Sequence, residues 1–421
     1  MPIDELARPA DDVPLPGRGR APMSSRLARL GKVLLWTVLA PGIAALLVRA
    51  FVGDVYYVDS RSMAPTLHGG ARGGEFAFVQ FGRTEKLERF DLVVLQRPGE
   101  SEPLVKRIGA LGGETVQVAA GDLVVDGKLL APDAPRPPWV LLFDSRLEEL
   151  EQHFSVARYA SRWRRTERGV ALDTERGVSV AEWIPRALDD YYDPAGKRVN
   201  GRRHAHDLAL DVELRIGGAW GALRLRLTEE GDRFDAVLEP ASAAGRARVR
   251  FERRAAPRHG AEELASVELD FDPAAPHRIV FSNVDNTLRL DLDAKRGALT
   301  HRYAENTPMW GVGDGFQHQL PRAAFGGEKL PAEFTRVRLW RDVFWVELGR
   351  HGVDQPLVLA PGELFVLGDN SGESLDSREW GPALKSWVIG RPRAVVWPPS
   401  SWRWLRGAVE FGALEPNVSA R

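Results

Sequence analysis

The chain contains no cysteine, which rules out a disulfide framework, Cys-ligated zinc and a thiol nucleophile, and leaves Ser, Lys, His and the carboxylates for chemistry. It also lacks a dominant charge: 57 Lys and Arg against 58 Asp and Glu create no global field, and nucleic acid is not indicated as a partner. A Gly-x-Ser-x-Gly elbow is missing, and the nine histidines show no triad arrangement, so a nucleophilic serine here needs a base other than His. His204-Ala-His206-Asp207 does not have metalloprotease spacing, and Gly311-Val-Gly-Asp-Gly315 lacks the strand-to-helix context of a nucleotide loop. Neither is assigned a site, and no internal repeat is present.

What is there is uneven along the 421 residues, a length that implies two or three domains. Residues 1–32 are rich in Pro, Gly and Arg and read as a disordered arm. Val33 to Val48 then carries no charge, and with Arg49 snorkelling the run extends to Val52. That approaches the ~20 residues a bilayer requires, so 33–52 is expected to be one transmembrane helix. Arg18, Arg20, Arg26, Arg29 and Lys32 precede it with no acidic residue after Asp12, which holds the arm in the cytoplasm and puts everything beyond residue 53 outside. The expected location is the cytoplasmic membrane, single-pass, with the lipid bilayer as a partner.

Beyond the span the chain reads as mainly β. Residues 54–131 and 336–406 hold short β-prone runs such as Phe76 to Val79, Leu92 to Leu95 and Leu364 to Leu367, separated by Gly, Pro and Asp. They are expected to form one discontinuous domain around an insertion at 132–335. Within the insertion, Leu208, Leu210, Val212 and Leu214, then Leu223, Leu225 and Leu227, then Ala247, Val249 and Phe251, and later Leu288, Leu290 and Leu292 alternate with period two. Strict alternation means one face buried and one wet, which predicts an antiparallel β-sandwich over about 180–305 that folds on its own. As an autonomous cap it is expected to be dispensable for cutting short peptides.

Just past the apolar run, Val58-Asp-Ser-Arg-Ser-Met-Ala-Pro-Thr-Leu67 sets two serines around Arg61. The candidate base is Lys106, in the apolar run Leu104-Val-Lys-Arg-Ile108. Alternation places it with Leu104 and Ile108 and puts Val105 and Arg107 on the opposite face. An inward lysine is pushed toward the neutral form a base must have, a shift from about 10.4 to 7–8. Each residue alone has a plainer reading, as turn serines and a snorkelling lysine.

Three motifs in order resemble those of the bacterial type I signal peptidases: Ser60 to Leu67, Lys106-Arg107 with the glycines that follow, and Gly368-Asp-Asn-Ser-Gly-Glu-Ser-Leu-Asp-Ser-Arg378. The resemblance covers roughly 33–131 and 336–400. It implies a signal-peptidase-type β catalytic domain, with Ser62 as nucleophile, Lys106 as general base, Ser60 with the Ser62 N–H as oxyanion donors, Ser374 orienting Lys106, and Asp376 with Arg378 supporting that loop. It further implies that Val58, Met63, Leu67 and Leu104 shape pockets for small residues before the cleavage site, that signal peptides of exported preproteins are the partners, and that neither metal nor cofactor is needed. The chain departs from the family where Asp59 and Arg61 flank Ser60, since an Asp59 near Lys106 would raise its pKa, and where Phe90 precedes Asp91 in place of the usual Gly. The insertion resembles laminin G or concanavalin-like sandwiches and is expected to offer a surface to an unknown protein or glycan. A membrane-tethered binding protein on a degenerate peptidase scaffold is the alternative.

Overall fold

The computed structural model describes residues 31–409 except 34, 71–72, 83–85, 132–133, 156–161, 175–177, 206, 230–231, 256–259, 294 and 305–321. The N-terminal arm up to residue 30, His206 and the Gly311 to Gly315 motif lie outside the described residues. The chain divides into two compact units, Met1–Asp54 and Val55–Arg421.

In the first unit Leu35–Leu39 form a π-helical turn and Ala40–Phe51 an α-helix. Pro41 has no N–H to donate back along the helix, so a regular ladder cannot run through it. The Thr37 hydroxyl meanwhile donates to the Val33 carbonyl at 2.6 Å. A helix of 12 residues is about 18 Å long, short of a hydrocarbon core of ~30 Å. Among the described residues no helix is long and apolar enough to cross a membrane, and the single helix expected over 33–52 is not shown. The apolar side chains of the two segments nevertheless face solvent, with Leu35, Trp36, Val38, Leu39, Ile43 and Leu46 all exposed.

The second unit is almost entirely antiparallel β. One sheet runs in the order β1 (Gly53–Tyr57), β2 (Phe76–Phe81), Val388–Trp397, β3 (Leu92–Leu95), β4 (Leu104–Leu111), Glu363–Leu367 and Ala383–Leu384, with Arg403–Trp404 added to Val388–Trp397. Both its halves of sequence are needed, because strands from before residue 112 alternate in space with strands from after residue 362. β3 is buried at every residue and β4 from Lys106 through Ala110, so both strands are covered on both faces. A four-stranded sheet, Leu357–Val358, Thr115–Ala119, Asp122–Val125 and Lys128–Leu129, accompanies it.

Two further sheets face a shared core. The larger joins Lys295–Arg302, Thr287–Leu292, His277–Val284, Leu208–Ile216, Ala332–Arg341, Val170–Leu172 and Trp163–Arg165, with Val140–Asp144 also on Ala332–Arg341. The other joins Val178–Glu182, Arg322–Glu328, Ala222–Glu229, Asp232–Pro240, Arg246–Ala255 and Glu262–Asp270. The alternating residues Leu210, Val212, Leu225, Leu227, Val249, Phe251, Leu288 and Leu290 all sit in that core. The sheets reach from Val140 to Arg341, wider than 180–305. Residues 336–341 belong to them, although the sequence groups these with the catalytic block. The outlying strands carry little periodic signal: Trp163–Arg165 and Val170–Leu172 have three residues each, and Arg322–Glu328 contains Gly326-Gly327.

Phe325 ties the outlying strands to the core through ring contacts with Phe154 at 5.1 Å, Trp163 at 5.4 Å and Phe334 at 4.8 Å. Phe325→Ala is therefore expected to destabilise the protein by about 3–5 kcal/mol, read as a lowered midpoint in thermal or denaturant unfolding. A loss below 1 kcal/mol would show that these strands do not belong to the cooperative unit.

Candidate active site

Lys106 lies in β4 with Val93 of β3 opposite it, while its neighbour Arg107 pairs with Leu92 on one side and Leu367 on the other. Lys106 is 2% exposed, and its Nζ donates to Ser374 Oγ at 3.0 Å. Burial lowers its pKa from 10.5 to about 8; Asp376 and Asp369 oppose the fall and Arg378 assists it. Asp59, the residue that raised concern in the sequence, is not among the leading influences on Lys106.

Ser62 sits at the start of a turn in which Ala64 N–H donates to Arg61 O at 3.0 Å and Leu67 N–H to Met63 O at 2.9 Å. Its Oγ is 3.2 Å from Ser60 Oγ. This turn is stitched to the 368–374 loop by Asn370, whose backbone N–H donates to Ser62 O at 3.0 Å and whose side-chain amide donates to Arg61 O at 3.1 Å. Gly368 makes the approach possible. A Cβ there would lie 2.2 Å from Ser374 Oγ and 2.5 Å from Ser62 O, distances that no side chain tolerates. Ser62 and Ser374, 312 positions apart in the sequence, thus converge on one glycine, and Ser374 in turn holds Lys106.

Two buried ion pairs hold this loop. Asp376 and Arg378 meet at 2.8 Å with side chains 0% and 1% exposed. Asp376 also accepts from Gly368 N–H at 2.9 Å, and Arg378 donates to Ser371 O at 2.8 Å and Ser371 Oγ at 2.7 Å. The second pair is Arg107 with Asp369, a bidentate contact at 2.7 and 2.6 Å. Arg107 also donates to Phe90 O at 2.9 Å, and Thr66 hydrogen-bonds Asp369. Sequence reasoning missed this pair. Alternation placed Arg107 opposite the buried face of β4, whereas the strand has no wet face and Arg107 is fully buried. The available signal was Asp369 itself, inside the third motif.

The four pocket candidates separate. Leu67 and Met63 are 0% and 1% exposed, and with Val58 they pack against Ala77, Leu92 and Val395 as core; Leu104 is half-buried. Phe90, which stands where Gly is usual, adopts φ +68°. That left-handed conformation is costly for a bulky side chain. The ring is buried and stacked on Trp345 at 6.1 Å, which offsets the strain.

A separate cluster was not anticipated. Ligand atoms of Asp122, Asp207 and Asp285 lie within 4.8 Å of one another, the one group among the described residues arranged so that it could hold a metal. Burial and mutual repulsion raise the pKa values of Asp122 and Asp207 well above the carboxylate range, and Arg136 pairs with Asp285. Protonation and one guanidinium thus offset much of the charge without an ion.

The family described as signal peptidase, peptidase S26, matches residues 30–162 and 342–397. Signal peptidase I of Bacillus licheniformis is 36% identical over 86 residues, 20% of this chain and 45% of that protein. Signal peptidase I of Leptolyngbya laminosa is 29% identical over 176 residues, 35% of this chain and 77% of that protein. The chain spans about half the length of several of the curated relatives it matches. Among solved structures, the carbohydrate-binding module CBM66 from Bacillus subtilis aligns over 49% of this chain and 94% of its own, with a TM-score of 0.26 and 10% identity, too low to support an assignment. Residues 30–162 and 342–397 are thus similar to the peptidase S26 family, and parts of them to type I signal peptidases.

Burying the Lys106 ammonium, with its pKa lowered to about 8, costs the folded state about 3 kcal/mol at pH 7. Lys106→Met, which keeps the bulk and removes the amine, is expected to raise the unfolding midpoint at pH 7. The advantage should shrink as pH rises from about 8 to 10.5, because there the folded wild type has released a proton that the unfolded chain still binds. A variant less stable than wild type at pH 7 contradicts this.

The Asp122, Asp207 and Asp285 cluster, on which Asp342 also acts, has the opposite slope. Burial and Asp285 raise the Asp342 pKa from 3.8 to about 7, so between these values the folded state holds a proton that the unfolded state has lost. Stability should fall as pH rises across that window, and Asp342→Asn should flatten the fall in pH-dependent thermal melts; an unchanged slope contradicts it.

Proposed function

We propose that the protein is a membrane-bound serine endopeptidase that removes signal peptides from exported preproteins. The observation that carries this is a buried, pKa-lowered Lys106 hydrogen-bonded to Ser374, on a loop bonded to the Ser62 turn, in the order and residue types of the peptidase S26 motifs. Ser62 Oγ attacks the scissile carbonyl and neutral Lys106 takes its proton. Ser60 Oγ and the Ser62 N–H hold the oxyanion, a role worth about 3–4 kcal/mol per donor. Lys106 then gives its proton to the leaving amine, and water attacks the acyl-enzyme by the same route in reverse. Ser374 orients the amine, and Asp376 with Arg378 keeps Ser374 in place.

The exposed apolar side chains of 35–46 support attachment to the bilayer. The five basic residues before Val33 support an N-terminus in the cytoplasm with catalysis outside. Protease added to sealed spheroplasts should then digest the large unit and spare the arm; a protected large unit reverses the orientation.

The decisive test is cleavage of a signal-peptide substrate by the detergent-solubilised chain. Ser62→Ala and Lys106→Ala should each abolish turnover, and the double variant should be no worse, because the two act as one unit. Wild-type kcat/KM should climb tenfold per pH unit below about 8 and level off above it, since the base works only when neutral. Turnover retained by either single variant removes Ser62 and Lys106 from the mechanism.

A further inference from the structure

The insertion does not only sit beside the catalytic sheet; it reaches the loop that carries Ser374. Leu188 to His204 form a strap closed by a bridge between Leu188 and His204, with Tyr191–Tyr192 paired to Arg198–Val199 inside it. Asp189 fixes the return limb: its N–H donates to Arg203 O at 2.8 Å and its carboxylate accepts from Arg203 N–H at 2.9 Å. Arg341, 3% exposed, anchors the strap by donating to the carbonyls of Asp189 and Asp190, each at 3.3 Å.

The strap delivers two side chains. The Arg203 guanidinium fills the place that a Cβ on Gly372 would take, with Nη1 1.5 Å and Cζ 2.4 Å from that point. Gly372 lies in the single turn Ser371–Glu373, directly before Ser374. Tyr191 packs its ring 5.7 Å from His68, one residue past the Ser62 to Leu67 turn, and its phenol feels the charges of Arg61 and Glu373. A narrow crevice lined by Ala64, Asp189, Tyr191, Asp369, Asn370 and Ser371 runs along this contact. One piece of the insertion therefore reaches both His68, just beyond the turn bearing Ser62, and the loop bearing Ser374.

We propose that Arg203 is a positioning residue for the peptidase reaction: lying on Gly372, it holds the 371–374 turn so that Ser374 presents its hydroxyl to Lys106, and the insertion is thereby a working part of the catalytic centre. This rests on the endopeptidase reading given above. The strap makes no bond to substrate in this role; it limits where Ser374 can be, and displacement of a catalytic group by about 1 Å can cost ~100-fold in rate. On this proposal the insertion is not a dispensable cap, and removal of the strap alters cleavage even of short peptides.

The test uses the full chain in detergent with a short signal-peptide substrate. Arg203→Ala should lower kcat about tenfold or more with KM nearly unchanged, and Arg203→Lys, which restores bulk and charge, should recover part of the loss. Gly372→Ala meets only the movable end of Arg203 and so remains folded while driving the guanidinium off; it should lose kcat to a similar degree. The double variant Arg203→Ala with Gly372→Ala should be no slower than the worse single one, because both remove one contact. Hydrogen exchange of the amides at 370–374 should quicken in Arg203→Ala and in Gly372→Ala whether or not the substrate is cut. Unchanged kcat in both single variants, multiplicative losses in the double, or unaltered exchange would each overturn the assignment. If the wild type fails to cut the peptide, the endopeptidase reading falls, and the exchange result alone decides whether Arg203 holds the turn.

Discussion

A buried ammonium needs a carboxylate beside it or must give up its proton, and the site depends on which of these happens at Lys106. Two buried carboxylates, Asp376 and Asp369, lie near enough to raise its pKa, with Glu100 a smaller influence. Each is already engaged by a buried guanidinium, Asp369 by Arg107 and Asp376 by Arg378. Among the described residues none forms an ion pair with Lys106. The arginines offset the negative charge, and burial then dominates at the lysine. Exchanging either pair for apolar residues could leave the fold intact but would remove the hydrogen bonds to Gly368, Ser371 and Phe90 that shape the loop around it.

This arrangement was partly legible in the residues. Ser62, Lys106 and Ser374 stand out because a serine without a histidine partner, a lysine in an apolar strand and a long ordered motif occur in one chain, and the motif order supplies their association. The alternating strands of the insertion were equally plain, since one-sided burial writes itself into period two. Arg107 was not, because alternation presumes that a strand has a wet face and β4 has none. The reach of the sandwich to Val140 and Arg341 was hidden for a related reason: three-residue strands and a Gly-Gly pair contain too few side chains to show a period. The strap was invisible because nothing local distinguishes Arg203 from the many other arginines of this chain. Only the space above Gly372 does so.

Phe90 shows how a departure from a motif can be absorbed. Its backbone keeps the left-handed conformation that glycine adopts freely, and its carbonyl accepts from Arg107. The function of the position therefore lies in the backbone, and the side chain is tolerated because a buried stack with Trp345 replaces the lost conformational freedom. Asp59 is a comparable case from the opposite side: it is exposed, so its charge is screened by water rather than set against the lysine.

An insertion of this size is tolerated where its ends are close together, and here they are. Val140–Asp144, on which the chain enters the sandwich, pairs antiparallel with Ala332–Arg341, on which it leaves, so that Val140 lies opposite Arg341. To the catalytic sheet the whole sandwich is then one loop with adjacent ends, and the entropy of closing such a loop grows only slowly with its length. Adjacent ends explain tolerance but not the strap. Arg341 is the last residue of the exit strand, buried, and donates to the strap carbonyls, while Asp342 immediately after it joins the carboxylate cluster made with Asp122 of the four-stranded sheet. The exit therefore works as a joint with two arms, one toward the loop of Ser374 and one toward the neighbouring small sheet. A fixed joint at that point is what the role proposed for Arg203 requires, and an insertion acting purely as a tethered module would not need one.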